Sequence, residues 1–151
     1  YAGSRTVAYA YDPLDRVVQV SDVPFVPIAD YAYRGRSLIE RRNYGNATRY
    51  EALYDGIRRI TNTTHRVVAG PVFDQRNYNW DQNGNRALAS RLVPTPESRL
   101  YSYDAANRLT RSDITSTGPS CVTDYTLDGA GNRQAQRFLH RLHNLSVVAV
   151  A

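Results

Sequence analysis

Short runs in which apolar and polar residues alternate recur along the whole chain, each closed by a cluster of Asp, Asn, Gly or Pro. Arg99–Asp113, RLYSYDAANRLTRSD, shows the pattern most fully. Tyr101 and Tyr103 are two apart, so on a strand they project to one face and Ser102 to the other. Asp104 is placed to accept hydrogen bonds from the turn backbone, and Asn107 tolerates the positive φ of a reversal. Arg108 opens the return strand within reach of Asp104, in a charge-assisted contact. The segment reads as strand, tight turn and strand.

The same grammar appears five more times. Tyr9 and Tyr11 share a face, Asp12 and Pro13 enter a turn, and Arg16 leads into the β-branched run Val17–Val20. A linker, Val23–Asp30, carries Pro24 and Pro27 and reads as an edge or crossing rather than a central strand. The second copy is Tyr31-Ala32-Tyr33-Arg34-Gly35-Arg36, with Arg34 in place of Asp, Leu38–Tyr44 as its return strand and Tyr44-Gly45-Asn46 as the next reversal. The third is Tyr54-Asp55 followed by Arg59. After a break at Gly70-Pro71, the fourth runs Trp80-Asp81-Gln82-Asn83-Gly84-Asn85-Arg86, and its Asn-Gly pair is the strongest short hairpin signal in the chain. Val93–Ser98 and Ser112–Ser120 read as loops. The sixth copy is Leu127-Asp128-Gly129-Ala130-Gly131-Asn132-Arg133.

The turn arginines Arg16, Arg36, Arg59, Arg86, Arg108 and Arg133 are 20 to 27 residues apart. Such a period marks an array of supersecondary units that complete their packing through their neighbours. Pro, Gly and Asn interrupt every window long enough for a helix. The expectation is therefore all-β: an array of antiparallel hairpins forming a twisted, spiralling sheet or part of a hollow shell. The array of about six units spans residues 1–137, and residues 138–151 form a tail. There Phe138, Leu139, Leu142 and Leu145 have helical spacing, but strand is favoured throughout, as the start of a further repeat.

Composition refines this reading. Twelve of the 151 residues are Tyr, whose apolar body and polar tip suit half-buried sheet faces. All nineteen basic residues are Arg; a GC-rich genome is the favoured cause, and stacking on Tyr with forked pairing to Asp follows either way. The net charge of +5 is dispersed rather than gathered in a run, so it permits an anionic partner without demanding one. A single cysteine, Cys121, excludes an intrachain disulfide and a multi-cysteine metal site. No apolar run approaches the length of a membrane span, and the absence of Met suggests a processed or excised piece.

Tyr-Asp-x-x-x-Arg followed by an apolar residue and often Thr, alternating with Asp-x-x-Gly-Asn-Arg, resembles the YD repeats of rearrangement-hotspot (Rhs) proteins. The same repeats occur in the shell-forming components of bacterial insecticidal toxin complexes and in the teneurin barrel. Tyr103–Thr110 and Trp80–Arg86 match best, and the likeness runs from about Tyr9 to Arg133. It implies a ribbon of hairpins spiralling into a shell that encloses a toxic C-terminal domain, or, as in the animal relatives, an extracellular adhesion scaffold. Six units are too few to close a shell, and nothing after Arg133 resembles the self-cleaving end-plug of the toxin shells. The implied protein is secreted or surface-borne and non-catalytic. Its partners are flanking repeats or copies of itself, with a toxin cargo or a glycan as further candidates.

The candidate residues divide accordingly. Tyr11, Asp12, Arg16, Tyr33, Arg36, Tyr54, Asp55, Arg59, Trp80, Asp81, Gly84, Asn85, Arg86, Tyr103, Asp104, Asn107, Arg108, Asp128, Gly131, Asn132 and Arg133 form a structural signature. Their fixed place at each turn argues for ordering the turn, not for acid–base chemistry. No catalytic, metal or cofactor site is expected; His140 and His143 are three apart but lack a third ligand nearby. Tyr and Arg together invite nucleic-acid or glycan binding, yet Tyr rungs stacked on one another as cross-strand pairs are the favoured reading, with no specific nucleic acid. Asn46, Asn62 and Asn144 begin N-glycan acceptor patterns. Self-assembly through open sheet edges into a filament or tube is carried as a third alternative.

Overall fold

The structure, a computed structural model, describes residues 6–24, 26–142 and 145–150. It is all-β, with no helix among the described residues. The strands are β1 (Val7–Tyr11), β2 (Val17–Asp22), β3 (Val26–Arg34), β4 (Leu38–Tyr44), β5 (Thr48–Tyr54), β6 (Ile60–Val67) and β7 (Val72–Trp80). They continue with β8 (Arg86–Val93), β9 (Glu97–Tyr103), β10 (Leu109–Ser116), β11 (Ser120–Leu127), β12 (Arg133–Leu142) and β13 (Leu145–Val150).

Two compact units divide the chain, Tyr1–Gln75 and Arg76–Ala151. In each, strands adjacent in sequence are adjacent in space, giving an up-and-down antiparallel meander: β1 to β6 in the first unit and β8 to β13 in the second. Reversals therefore alternate between two sides of each sheet. One side carries the turns that follow β1, β3 and β5 in the first unit, and those before β8, β10 and β12 in the second. The other side carries shorter, less regular connections, including the cis peptides Val23–Pro24 and Val93–Pro94.

Very little is buried. Among the described residues, the buried apolar side chains are Ala29, Ala52 and Val122, joined by Thr63 and Thr123. Ala52 lies directly opposite Thr63 across β5 and β6, so small residues sit where larger neighbours close over them. Tyr9, Tyr11, Leu53, Phe73 and Leu100 stand exposed. Such a sheet is held by ladder hydrogen bonds and by cross-strand side-chain pairs, each contributing roughly 0.2–1 kcal/mol.

Three expectations need correction. Val26–Asp30 is not a linker but the first half of β3, paired with both β2 and β4. Pro27 is tolerated because it lies at the register shift between Val20 and Ser21, where the ladder is already interrupted. Ser112–Ser120 is not a loop: Ser112 to Ser116 belong to β10, and only residues 117–119 separate it from β11. Likewise Glu97 and Ser98 are strand, so the connection after Val93 is three residues. The 138–151 segment is strand where described, with β12 and β13 paired from Leu142↔Leu145 outwards.

Candidate functional site

The repeated feature of the molecule is its turn, and five copies share one geometry. In each, the N–H of the Asp donates to the carbonyl four residues on, and the N–H three residues on donates back to the Asp carbonyl. The pairs are Asp12 with Arg16 and Asp15, Asp55 with Arg59 and Arg58, Asp81 with Asn85 and Gly84, Asp104 with Arg108 and Asn107, and Asp128 with Asn132 and Gly131. The residue three after the Asp has positive φ every time: Asp15, Arg58, Gly84, Asn107 and Gly131. This is a type I turn closed by a left-handed residue, which inserts one extra residue and shifts the strand register. Register shifts accompany the turns at Ala10/Tyr11, Leu53/Tyr54, Leu109/Arg111 and Thr126/Leu127.

The Asp side chain staples the turn from inside. Asp104 Oδ1 accepts from the N–H groups of Ala106 and Arg108, both at 2.9 Å, and its Oδ2 accepts from Arg108 Nε at 2.6 Å. Asp12 does the same with Leu14 and Arg16, and Asp55 with Ile57 and Arg59. In the fourth and sixth copies the place four after the Asp belongs to asparagine: Asn85 Nδ2 donates to Asp81 Oδ2 and Asn132 Nδ2 to Asp128 Oδ2, each at 3.0 Å. Arg86 and Arg133 therefore stand one residue further on. Arg86 lies over the rings of Tyr78 and Trp80, at 5.1 and 5.7 Å from their centroids, and Arg133 donates to Gln136. In the second copy Arg34 takes the place of the Asp, Gly35 carries the positive φ, and Arg36 sits within the turn.

All five turn carboxyls are held below their ordinary value of 3.8. The Arg16 side chain is the main cause at Asp12, the Arg108 backbone N–H at Asp104, and the Asn132 side chain at Asp128. At Asp55 and Asp81 partial loss of solvent is the largest single influence and pulls upward, but the hydrogen bonds donated by Arg59 and Asn85, with their neighbours, outweigh it.

Successive turns are also joined sideways. Arg16 uses Nε for its own Asp12 and Nη1 for the next turn on that side, donating to the carbonyls of Gly35 at 2.7 Å and Arg36 at 3.1 Å. Arg108 repeats this, with Nη1 on the Asp128 carbonyl at 2.9 Å and its side chain lying against Gly131. Arg34 reaches the Tyr54 carbonyl, Arg58 the Ser37 hydroxyl, and Asn85 the Asn107 side chain. The tyrosine before the turn closes the contact from the other direction. Tyr33 donates its hydroxyl to the Val17 carbonyl, Tyr54 to Ile39 and Tyr103 to Arg86, at 2.8, 2.8 and 3.0 Å. Each acceptor lies five residues after the Asp-equivalent position of the preceding turn. Arg16 completes the stitch by lying over the Tyr33 ring, 4.5 Å from its centroid.

The aromatic rung takes a different form from the expected tyrosine stack. Tyr31, Arg42, Tyr50 and His65 are directly opposite one another across β3 to β6, and Phe73 follows on β7. Arg42 lies over Tyr31 at 4.9 Å, Tyr50 meets His65 at 5.0 Å and His65 meets Phe73 at 6.1 Å. A cation and an imidazole alternate with the tyrosine and phenylalanine rings, and a guanidinium over a ring is attracted by its negative face. Among the described residues no group of three or more His, Cys, Asp or Glu is placed to hold a metal ion. His140 lies on β12, while His143 and Asn144 fall outside the described residues. Asn46 occupies an exposed turn and Asn62 lies within β6.

No local pattern hinted that a turn arginine would serve two turns, or that a hydroxyl would reach back some 15 residues. The period near 20 was the available signal, since it sets one turn beside the next.

Turn, staple and sideways stitch together define a sheet of antiparallel β-hairpin repeats. Its fold is that of stretches of Tc toxin chains. The chain is similar to one in the Photorhabdus luminescens Tc holotoxin pore carrying a TccC3 mutation, with TM-score 0.79, 16% identity, and coverage of 95% of this chain and 8% of that one. It is also similar to TcdB2-TccC3-TEV, with TM-score 0.76, 16% identity and coverage of 95% and 8%. A third likeness is to TcdB2-TccC3-Cdc42, with TM-score 0.71, 14% identity and coverage of 99% and 10%. The chain thus spans a tenth or less of the length of these chains. No protein-family model matches it, and no curated protein sequence does.

Proposed function

We propose that the chain is a non-catalytic length of wall in an Rhs/YD-repeat shell, secreted or surface-borne, that encloses a toxic C-terminal domain until delivery or use against competing bacteria. The observation that carries this reading is the stitch between turns. The first and second turns give a guanidinium to the next and take a tyrosine hydroxyl from it, the fourth gives an amide and takes a hydroxyl, and the fifth gives a guanidinium, so the unit extends by repetition instead of folding around a core. A sheet with so few buried apolar residues is suited to enclosing something other than its own side chains. The turn Asp, Arg, Asn and Tyr residues are then structural, and flanking repeats of a parent chain are the first partners.

The test is protease protection of the parent reading frame. A domain encoded downstream should survive a protease that digests the same domain when it is expressed alone. Digestion at equal rates in both settings would sink the shell reading. Binding of a glycan array by the monomeric chain would favour an adhesion module instead, and large species in light scattering would favour self-assembly.

A further inference from the structure

The second unit holds a cluster that the turns do not use. On one face of β7 to β9, Arg76, Arg86, Arg91 and Arg99 surround a depression of about 160 Å³, with Glu97 as its carboxylate and Tyr78 and Tyr101 at its sides. Ala89 and Ser90 of β8 also line it. The register places Arg91 opposite Glu97 and Ala89 opposite Arg99, so the cluster is set by strand pairing and not by a mobile loop. Four guanidiniums and one carboxylate line the depression, a basic majority. Glu97 is itself a seated oxyanion: Arg99 Nε donates to its Oε1 at 2.6 Å and Arg91 Nη2 to its Oε2 at 3.4 Å. Arg91 is braced through Nε on the Thr95 carbonyl, and Arg86 by the rings of Tyr78 and Trp80. Two of the four cations are thus held in place without relying on Glu97. Glu97 is held below its ordinary carboxylate value, first by the hydrogen bond from Arg99 and then by the charges of Arg99, Arg91 and Arg76.

We propose that this depression binds a tetrahedral oxyanion, a phosphate or sulfate group, either free or as the monoester of a larger ligand. Guanidinium forks match the oxygen spacing of such groups, and a concave patch with a basic majority attracts them. The depression has room for a five-atom oxyanion and opens to solvent, so the rest of a larger ester can extend out of it. The inference is independent of the shell reading, since it needs only the second unit's own strands.

The test is a titration of the whole chain with inorganic phosphate, by calorimetry or phosphorus NMR, with ionic strength held constant by chloride. Saturable binding is expected. One unit charge about 6 Å from a dianion, in a water-like dielectric, changes affinity by about tenfold. Arg86→Gln should weaken binding by about that factor, and Glu97→Gln should tighten it by about the same factor. The opposite signs separate a site from general attraction to a basic protein. If either variant loses its β-sheet circular dichroism, Arg99→Gln, on the exposed rim, replaces it and should weaken binding. Glucose 6-phosphate and glucose 6-sulfate are the remaining arms. Tighter binding of one ester than of phosphate assigns the source, and equal binding of all three assigns the free anion. No binding beyond that of chloride, or a Glu97→Gln protein that binds no tighter, overturns the proposal.

Discussion

Tyr54→Phe removes one atom and tests one stitch. The Tyr54 hydroxyl donates to the Ile39 carbonyl at 2.8 Å, across from the return strand of the preceding hairpin. The ring is half-buried beside Ile39, Arg58 and Ile60, and burial pushes its phenol pKa upward. Phe keeps the ring and its packing, so only the hydrogen bond and the solvation of the abandoned carbonyl change. A neutral bond of this kind contributes about 1 kcal/mol, and an orphaned half-buried carbonyl raises the cost towards about 1.5 kcal/mol. With a urea slope of roughly 1–3 kcal/mol/M, the midpoint should fall by about 0.5 M with the slope unchanged. Far-UV circular dichroism against urea measures it. Tyr11, which holds the same place before its own turn, is 56% exposed and makes no such bond to a described residue, so Tyr11→Phe should leave the midpoint where it was. The reasoning fails if Tyr54→Phe matches the parent, or if Tyr11→Phe falls as far.

Three further outcomes follow from the turns. Gly84 has φ of +85° and open space around it, so Gly84→Ala should cost about 1–2 kcal/mol in backbone strain alone, while Gly129→Ala, which has equally open space and no positive φ, should not; urea melts of the pair decide. At Gly45 an added Cβ would meet the Pro27 carbonyl, so Gly45→Ala should destabilise by about 2 kcal/mol or more and broaden amide spectra of β3 and β4. The five turn carboxyls have folded pKa values below 3.8, so the stability they confer is complete above that value and is lost as pH falls beneath it. Thermal melts should therefore be flat from pH 7 to about 5 and drop steeply below about 4. Replacing Asp104 and Asp128 with Asn should shrink that drop.

How much of this could be read from the residues depended on whether the signal was local. Asp104, Asn107 and Arg108 announce their turn because a staple between residues four apart is written within one short segment. The place of Asn85 and Asn132 was harder: Asp-x-x-Gly-Asn-Arg contains both an amide and a guanidinium, and only geometry shows that the amide takes the staple while the arginine moves to the aromatic face. The segment Ser112–Ser116 reads as loop because Ile114 is its one apolar residue and both faces are otherwise polar. In a sheet with so little covered, both faces of a strand meet water, and the alternation that normally marks a strand fades. Pro27 misled for a related reason, since a register shift supplies the gap in the ladder that a proline needs. Nothing in the sequence near Arg91 and Arg99 points to their cluster, because the residues that form it come together only through the pairing of β8 with β9.

The central claim is that neighbouring hairpins hold one another through the turn row, and a double-mutant cycle between Arg16 and Tyr33 tests it most directly. Arg16→Gln and Tyr33→Phe, singly and together, isolate the stacking and hydroxyl contacts that join the first hairpin to the second. The cycle cancels what Arg16 does for its own Asp12. A coupling of about 0.5 kcal/mol or more is predicted for this pair, against additivity for Arg108 with Tyr33, which lie in different units. Additive effects at Arg16 and Tyr33 would mean that each hairpin stands alone, and the stitched-repeat account would be wrong.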